Sequence, residues 1–189
     1  MFAAVLDTSV LWPSRQRDFL LSLAIAGLYR PLWSDAILEE LEYHEAAKRE
    51  GRGSDAATAA VAAARLVGRM RAAFDDAVVT GWEPLDGSYG LPDPDDEHVV
   101  AAAVVGGAGA IVTSNLKDFP EDRVPKHIQV VSPAEFAADT VAVSPMVAWQ
   151  AVEAMVKRLG NPPMSVDEVL ALLVDRYEMS DAVALLREV

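Results

Sequence analysis

Four short apolar runs, each too brief to be a helix, restrict this chain to an architecture in which strands alternate with helices. They cover residues 2–6, 77–80, 110–113 and 128–131 of a 189-residue sequence. The stretches between them carry helical periodicity and helix start signals. That alternation is the signature of an α/β fold whose central parallel sheet is covered by helices. In such sheets the residues just beyond the carboxyl ends of the strands gather at one edge, where ligands bind. Asp7 closes the first run, Asn115 and Asp118 follow the third, and Asp93, Asp95 and Asp96 open the helix between the second and third.

The helix signals are specific. Phe19, Leu20, Leu23 and Ile25 give an apolar face over 15–26, ended by Gly27. Ser34 is placed to cap a helix running to about 49, and Ser54 to cap an alanine-rich one running to about 74. Asp93-Pro94 is an N-cap followed by proline at the first helical position, opening a helix to about 105. Ser132-Pro133-Ala134-Glu135 and Ser165-Val166-Asp167-Glu168 have the spacing of capping boxes, and Ser144-Pro145 opens a further helix. No strand-like alternation follows residue 131, so the end of the chain reads as a helical extension with a turn at Gly160-Asn161-Pro162-Pro163.

Composition narrows the chemistry. There is no cysteine, which excludes disulfides and thiolate zinc sites. The longest apolar stretch, 99–112, is interrupted by Gly106-Gly107 and is too short to cross a bilayer. With no basic leader segment before Asp7, the expected setting is cytoplasmic, without a membrane partner. The net charge of −13 runs against nucleic-acid binding. Its distribution is uneven, however, and most bases of the first 134 residues fall between Arg15 and Arg71. Cations held by clustered acids would cancel part of the negative field.

Each acid has a plain reading and a chemical one. Asp7, flanked by apolar residues on both sides, puts a carboxylate near the core, which is costly unless it is paired or binds metal. Thr8 and Ser9 are placed to orient it. On the helix after Ser34, Ile37, Leu38 and Leu41 mark the buried stripe; Glu39 points away from it, while Glu40 and Glu42 flank it. Asp96 shares a face with Val99, Val100 and Ala103, whereas Asp93 caps and Asp95 lies at the rim. Of the histidines, His44 and His127 offer nothing, and His98 falls on the outer face of its helix. The four tryptophans read as packing or interface residues. No phosphate-cradling glycine loop and no Ser-His-Asp order is present.

Val5-Leu6-Asp7-Thr8-Ser9-Val10-Leu11, Ser34 with Glu40-Leu41, the segment from Pro92 to Ala103, and Ile111-Val112-Thr113-Ser114-Asn115-Leu116-Lys117-Asp118-Phe119 together resemble the PIN-domain nucleases. The nearest likeness is to the VapC-like toxins of bacterial toxin–antitoxin pairs. The resemblance implies a three-layer α/β/α domain over 1–135, a helical C-terminal extension over 141–189, and a ribonuclease dependent on Mg²⁺ or Mn²⁺. Carried over, Asp7, Glu40 and Asp96 match the family's first three acids. The fourth is divided between Asn115, which can ligate through its carbonyl but has no charge, and Asp118. RNA is the implied substrate, an antitoxin protein and a second copy of the chain the implied partners. Arg15, Arg17 and Lys117 are candidate phosphate contacts. Asn115 also leaves room for a rival, a PIN-like scaffold that binds without cleaving. A phosphotransfer domain using Asp7 as nucleophile is disfavoured, because Ser9 stands where such enzymes place a second Asp.

Overall fold

The structure is a computed structural model that describes residues 1–160 and 163–189. Part of the expected turn at 160–163 therefore lies outside the described residues. In chain order the elements are β1 (Ala3–Leu6), α1 (Thr8–Leu11), α2 (Ser14–Ile25), β2 (Arg30–Ser34), α3 (Asp35–Glu50), α4 (Ala56–Ala73), β3 (Val78–Val79) and α5 (Glu97–Gly106). Then come β4 (Ala110–Val112), β5 (Gln129–Val131), α6 (Pro133–Val143), α7 (Pro145–Arg158), α8 (Val166–Tyr177) and α9 (Ser180–Leu186).

The five strands are all parallel, in the order β3-β2-β1-β4-β5. The chain builds outward from β1 through β2 to β3, then crosses back to place β4 on the other side of β1. Between β1 and β4 the direction of growth reverses, and ligand crevices of open α/β sheets form at such a point. Val5 pairs with Ile111 and Leu6 with Val112, so Asp7 and Thr113 leave the sheet side by side.

One strand was not legible. β2 reads Arg-Pro-Leu-Trp-Ser, without alternation and with a proline that argues against a central strand. The hydrogen bonds explain why Pro31 is accepted. Arg30 N–H bonds to Phe2 on the β1 side, and Trp33 N–H bonds to the carbonyl of Ala77 on the β3 side. Alternation along the strand turns the Pro31 nitrogen toward β3, which pairs only with Trp33 and Ser34. No strand donor is missing, because no strand lies there to accept it.

Other boundaries shift for local reasons. Asp55, not Ser54, caps α4 by accepting from Thr58 N–H at 3.0 Å. Asp93 accepts from Asp95 N–H at 3.0 Å, but the next three residues form a 3₁₀ turn, and the α-helix begins at Glu97. Ser132 accepts from Glu135 N–H without the reciprocal bond, whereas Ser165 and Glu168 make the full capping box. Among the described residues the extension holds three helices, where two were expected. No described helix is long and apolar enough to cross a membrane.

Helix α5 packs across β1, β2, β3 and β4. From Glu97 to Ala103 every residue is buried, as expected for a helix apolar almost all round. Gly106 permits the close approach: a Cβ there would stand 2.8 Å from Val79 Cγ2 and 2.9 Å from Leu32 Cδ1. Gly107 then ends the helix in the left-handed conformation, at φ 66. In the C-terminal part α7 packs on α2 and α9 on α6, so buried apolar side chains from Ala4 to Leu186 form one continuous core.

Candidate active site

Asp7 is buried, 4% exposed, and its carboxylate is held by hydroxyls. Ser9 Oγ donates to Asp7 Oδ2 at 2.6 Å and Thr113 Oγ1 donates to the same oxygen at 2.7 Å. Thr113, at the end of β4, is fully buried and also accepts the Asn115 N–H at 3.0 Å. Ser9 in turn accepts the Ser114 N–H at 3.0 Å. Two hydroxyls fix one carboxylate oxygen and, among the described residues, leave Oδ1 without a side-chain partner.

Glu40, on α3, reaches the same edge through its neighbours. Thr8 Oγ1 donates to Glu40 Oε2 at 2.7 Å, and His98 Nε2 lies 3.0 Å from Oε1. Burial alone would raise the Glu40 pKa, but the bonds from His98 and Thr8 hold it below the ordinary range. For His98, burial lowers the pKa and the hydrogen bond and charge of Glu40 raise it further, with a net upward shift. The two shifts reinforce one another, while the buried His98 Nδ1 has no hydrogen-bond partner among the described residues.

Asp96 is the least comfortable acid. Its pKa is pushed up to about 6, first by burial and then by the charges of Asp7, Asp93 and Asp118, with His98 acting in the opposite sense. Asp7, 89 residues earlier in the chain, thus bears on Asp96, and among the described residues Asp96 is in no ion pair. Asp118 is half-buried in a 3₁₀ turn after β4, while the Asn115 side chain is exposed and makes no capping bond.

Among the described residues, no three carboxylate or imidazole groups gather closely enough to hold an ion directly. The donor chemistry nevertheless suits a hard divalent cation. The acids Asp7, Asp96 and Asp118 offer only oxygen, the charges of Asp7 and Asp118 both weigh on Asp96, and such cations can be held largely through water.

Several readings are corrected. His98 does not face outward: it is 7% exposed, beneath Trp82 at a ring separation of 5.9 Å. The segment before α5 covers the helix face that would otherwise be solvated. Glu42 makes no hydrogen bond or ion pair among the described residues. Arg17 is buried and donates to the carbonyl of Leu11 at 2.8 Å, a structural contact rather than a phosphate one. Trp33 is fully buried, edge-on to Phe74, and only Trp12 is substantially exposed. Thr113 was missed. A hydroxyl directly after a buried strand, aligned with Asp7, was the available signal.

Glu97, next to Asp96, does something different. Its buried carboxylate accepts from Tyr89 N–H at 2.7 Å and Leu91 N–H at 2.8 Å. Burial opposes its ionisation, but these backbone donors outweigh it and lower the pKa. It latches the 89–91 loop onto the start of α5.

Two family models match the chain: the PIN domain over residues 3–117 and the VapC50 C-terminal domain over residues 133–188. A curated protein of Mycobacterium tuberculosis, "Putative ribonuclease VapC50", is 35% identical over 79 residues, which are 41% of this chain and 47% of that protein. The chain thus aligns with about half the length of this relative. No solved structure matches it significantly.

Proposed function

The chain belongs to the PIN-domain family, and from that premise we propose that it is an endoribonuclease, dependent on Mg²⁺ or Mn²⁺, that serves as the toxin of a toxin–antitoxin pair. The observation that carries the reading is the Asp96 carboxyl, pushed up to about 6 by burial and by the charges of Asp7, Asp93 and Asp118 at the β1/β4 switch point. An arrangement so unfavourable to itself is what a cation-binding site requires. We assign Asp7, Glu40, Asp96 and Asp118 to catalysis, with Asn115 as a further oxygen donor to the metal. Bound there, the metal would polarise the scissile phosphodiester and acidify an attacking water.

The chain's own groups prepare for this. Ser9 and Thr113 fix the orientation of Asp7 and keep one oxygen open. Thr8 and His98 turn Glu40 toward the same edge. When His98 carries a proton, it offsets the Glu40 charge. We take residues 1–135 as the catalytic unit and 141–189 as an extension to it. The substrate is RNA in the cytoplasm, yielding 5′-phosphate and 3′-hydroxyl ends as the family resemblance implies. A protein antitoxin offering an Arg to these carboxylates would silence the site, and a homodimer is the expected assembly.

Incubating labelled RNA with Mn²⁺ and the wild-type, Asp7→Asn or Asp96→Asn chain tests the reading. Cleavage by the wild type alone supports it, and equal cleavage by all three refutes the assignment. The uncharged Asn115 and the lack of a three-ligand cluster among the described residues favour one alternative, a non-cleaving scaffold. Calorimetry separates the two, since a scaffold takes up no Mn²⁺ at this site.

A further inference from the structure

The positive charge of this acidic chain is concentrated beside the site. Two adjoining cavities share Ser14, Arg15 and Arg49. Arg15, Lys48, Arg49, Arg52 and Arg176 line the larger, of about 1000 Å³. Arg17, Arg69 and Arg158 join them in the smaller, of about 590 Å³. Together these are 8 of the chain's 16 bases, whereas only Asp18, Glu45 and Glu178, 3 of its 29 acids, line either cavity. A groove with that balance attracts anions despite the net charge of −13.

The larger cavity is built from both parts of the chain. Trp12 to Gln16 and the end of α3 form one side, and Arg176, Tyr177 and Glu178 at the end of α8 contribute another. Each part supplies an aromatic ring beside a cation: Lys48 Nζ stands 5.4 Å from the Trp12 ring, and the Arg176 guanidinium 5.9 Å from the Tyr177 ring. Arg15 is committed to Asp18, and Lys48 and Arg49 to Glu45. Arg52 and Arg176 are exposed and in no ion pair among the described residues. At Ser114 the groove meets the acidic edge, since Ser114 N–H bonds Ser9, and Ser9 bonds Asp7.

We propose that this groove is the track along which single-stranded RNA approaches Asp7, and that the C-terminal extension is a substrate-binding element supplying Arg176 and Tyr177. The inference rests on the ribonuclease reading and deepens it. Phosphates meet Arg52 and Arg176, and bases stack on Trp12 and Tyr177, a combination that binds single strands without demanding a sequence.

Fluorescence anisotropy of a labelled ten-nucleotide RNA, with the full-length chain in EDTA, measures binding without cleavage. Arg52→Glu/Arg176→Glu should raise Kd at least about ten-fold and reduce the slope of log K against log salt by about 1.4, roughly 0.7 for each phosphate no longer neutralised. Arg187→Glu, also in the extension but outside both cavities, should leave both unchanged. Arg52→Gln/Arg176→Gln provides the same test should the reversal disturb folding. The proposal is overturned if the double variants bind within two-fold of wild type, if Arg187→Glu weakens binding equally, or if a polyglutamate peptide outcompetes the RNA, which would make the groove a dock for an acidic polypeptide. The two readings fail separately. RNA bound in the groove but never cut with Mn²⁺ sinks the nuclease and spares the track. RNA cut by Arg52→Glu/Arg176→Glu with unchanged KM does the reverse.

Discussion

Asp96 and Glu97 are consecutive acids at the start of one helix, and their environments push them in opposite directions. Asp96, partly buried among other carboxylates at the sheet edge, resists ionisation; Glu97 accepts from two backbone N–H groups, which outweigh its burial, and ionises readily. Proximity to a helix N-terminus favours both equally, so the dipole does not separate them. The surroundings do. One region holds unrelieved charge at the expense of stability, while its neighbour uses a charge to secure a loop.

The strongest test breaks the first region. Asp7→Asn or Asp96→Asn should reduce RNA cleavage to below about one-hundredth of wild type, since even groups that merely orient a metal ligand cost about 10–100-fold. Both variants should keep the wild-type circular dichroism. A smaller effect on turnover, about ten-fold or more, is expected for Thr113→Val, which removes one of the two hydroxyls holding Asp7.

Breaking the second region should cost stability instead. Glu97→Ala leaves two loop N–H groups without their acceptor, a loss of about 2–4 kcal/mol. For a chain of this size that lowers Tm by roughly 4–16 °C, read by thermal denaturation.

The contrast also has a pH signature. The Asp96 carboxyl is raised to about 6 in the folded chain against an ordinary 3.8. A raised acid favours the fold while protonated, so its contribution is neutral below about pH 4 and becomes destabilising as pH climbs through 6. Because Asp96 is only half-buried, solvent screening limits this to about 1–2 kcal/mol. Asp96→Asn should therefore melt above wild type at pH 7.5 and with it near pH 4. Millimolar Mn²⁺ should close the gap at pH 7.5 by stabilising the wild type alone. The smallest effect expected is Ser165→Ala, which opens the capping box of α8 and costs about 1 kcal/mol.

What the sequence conveyed depended on whether a residue's partner was local. Ser34, Ser165 and Asp93 cap their own turns, and each capping bond was visible from spacing. The positions of Asp7 and Asp96 followed from a strand end and a helix face, whereas the helix face left Glu40 and Glu42 level and only the family resemblance chose Glu40. His98 did not, because its burial depends on Trp82 and the loop that Glu97 secures, a cover supplied from outside the helix. A run from Val99 to Val105 without one polar side chain was the clue that α5 had no wet face. The basic groove was invisible for the same reason: Arg52 and Arg176 are 124 positions apart, and only the docking of the extension makes them walls of one channel.

Pro31 has a further consequence for how copies of this molecule behave in a crowded solution. Because β3 is so short, the first half of β2 has no strand beside it on that side, and burial of Pro31 and the bonds from Arg30 to Asp76 close the margin instead. A proline whose nitrogen faces that margin withholds the hydrogen a newcomer needs. The residue that hid the strand from inspection also denies a donor to any strand arriving on that side.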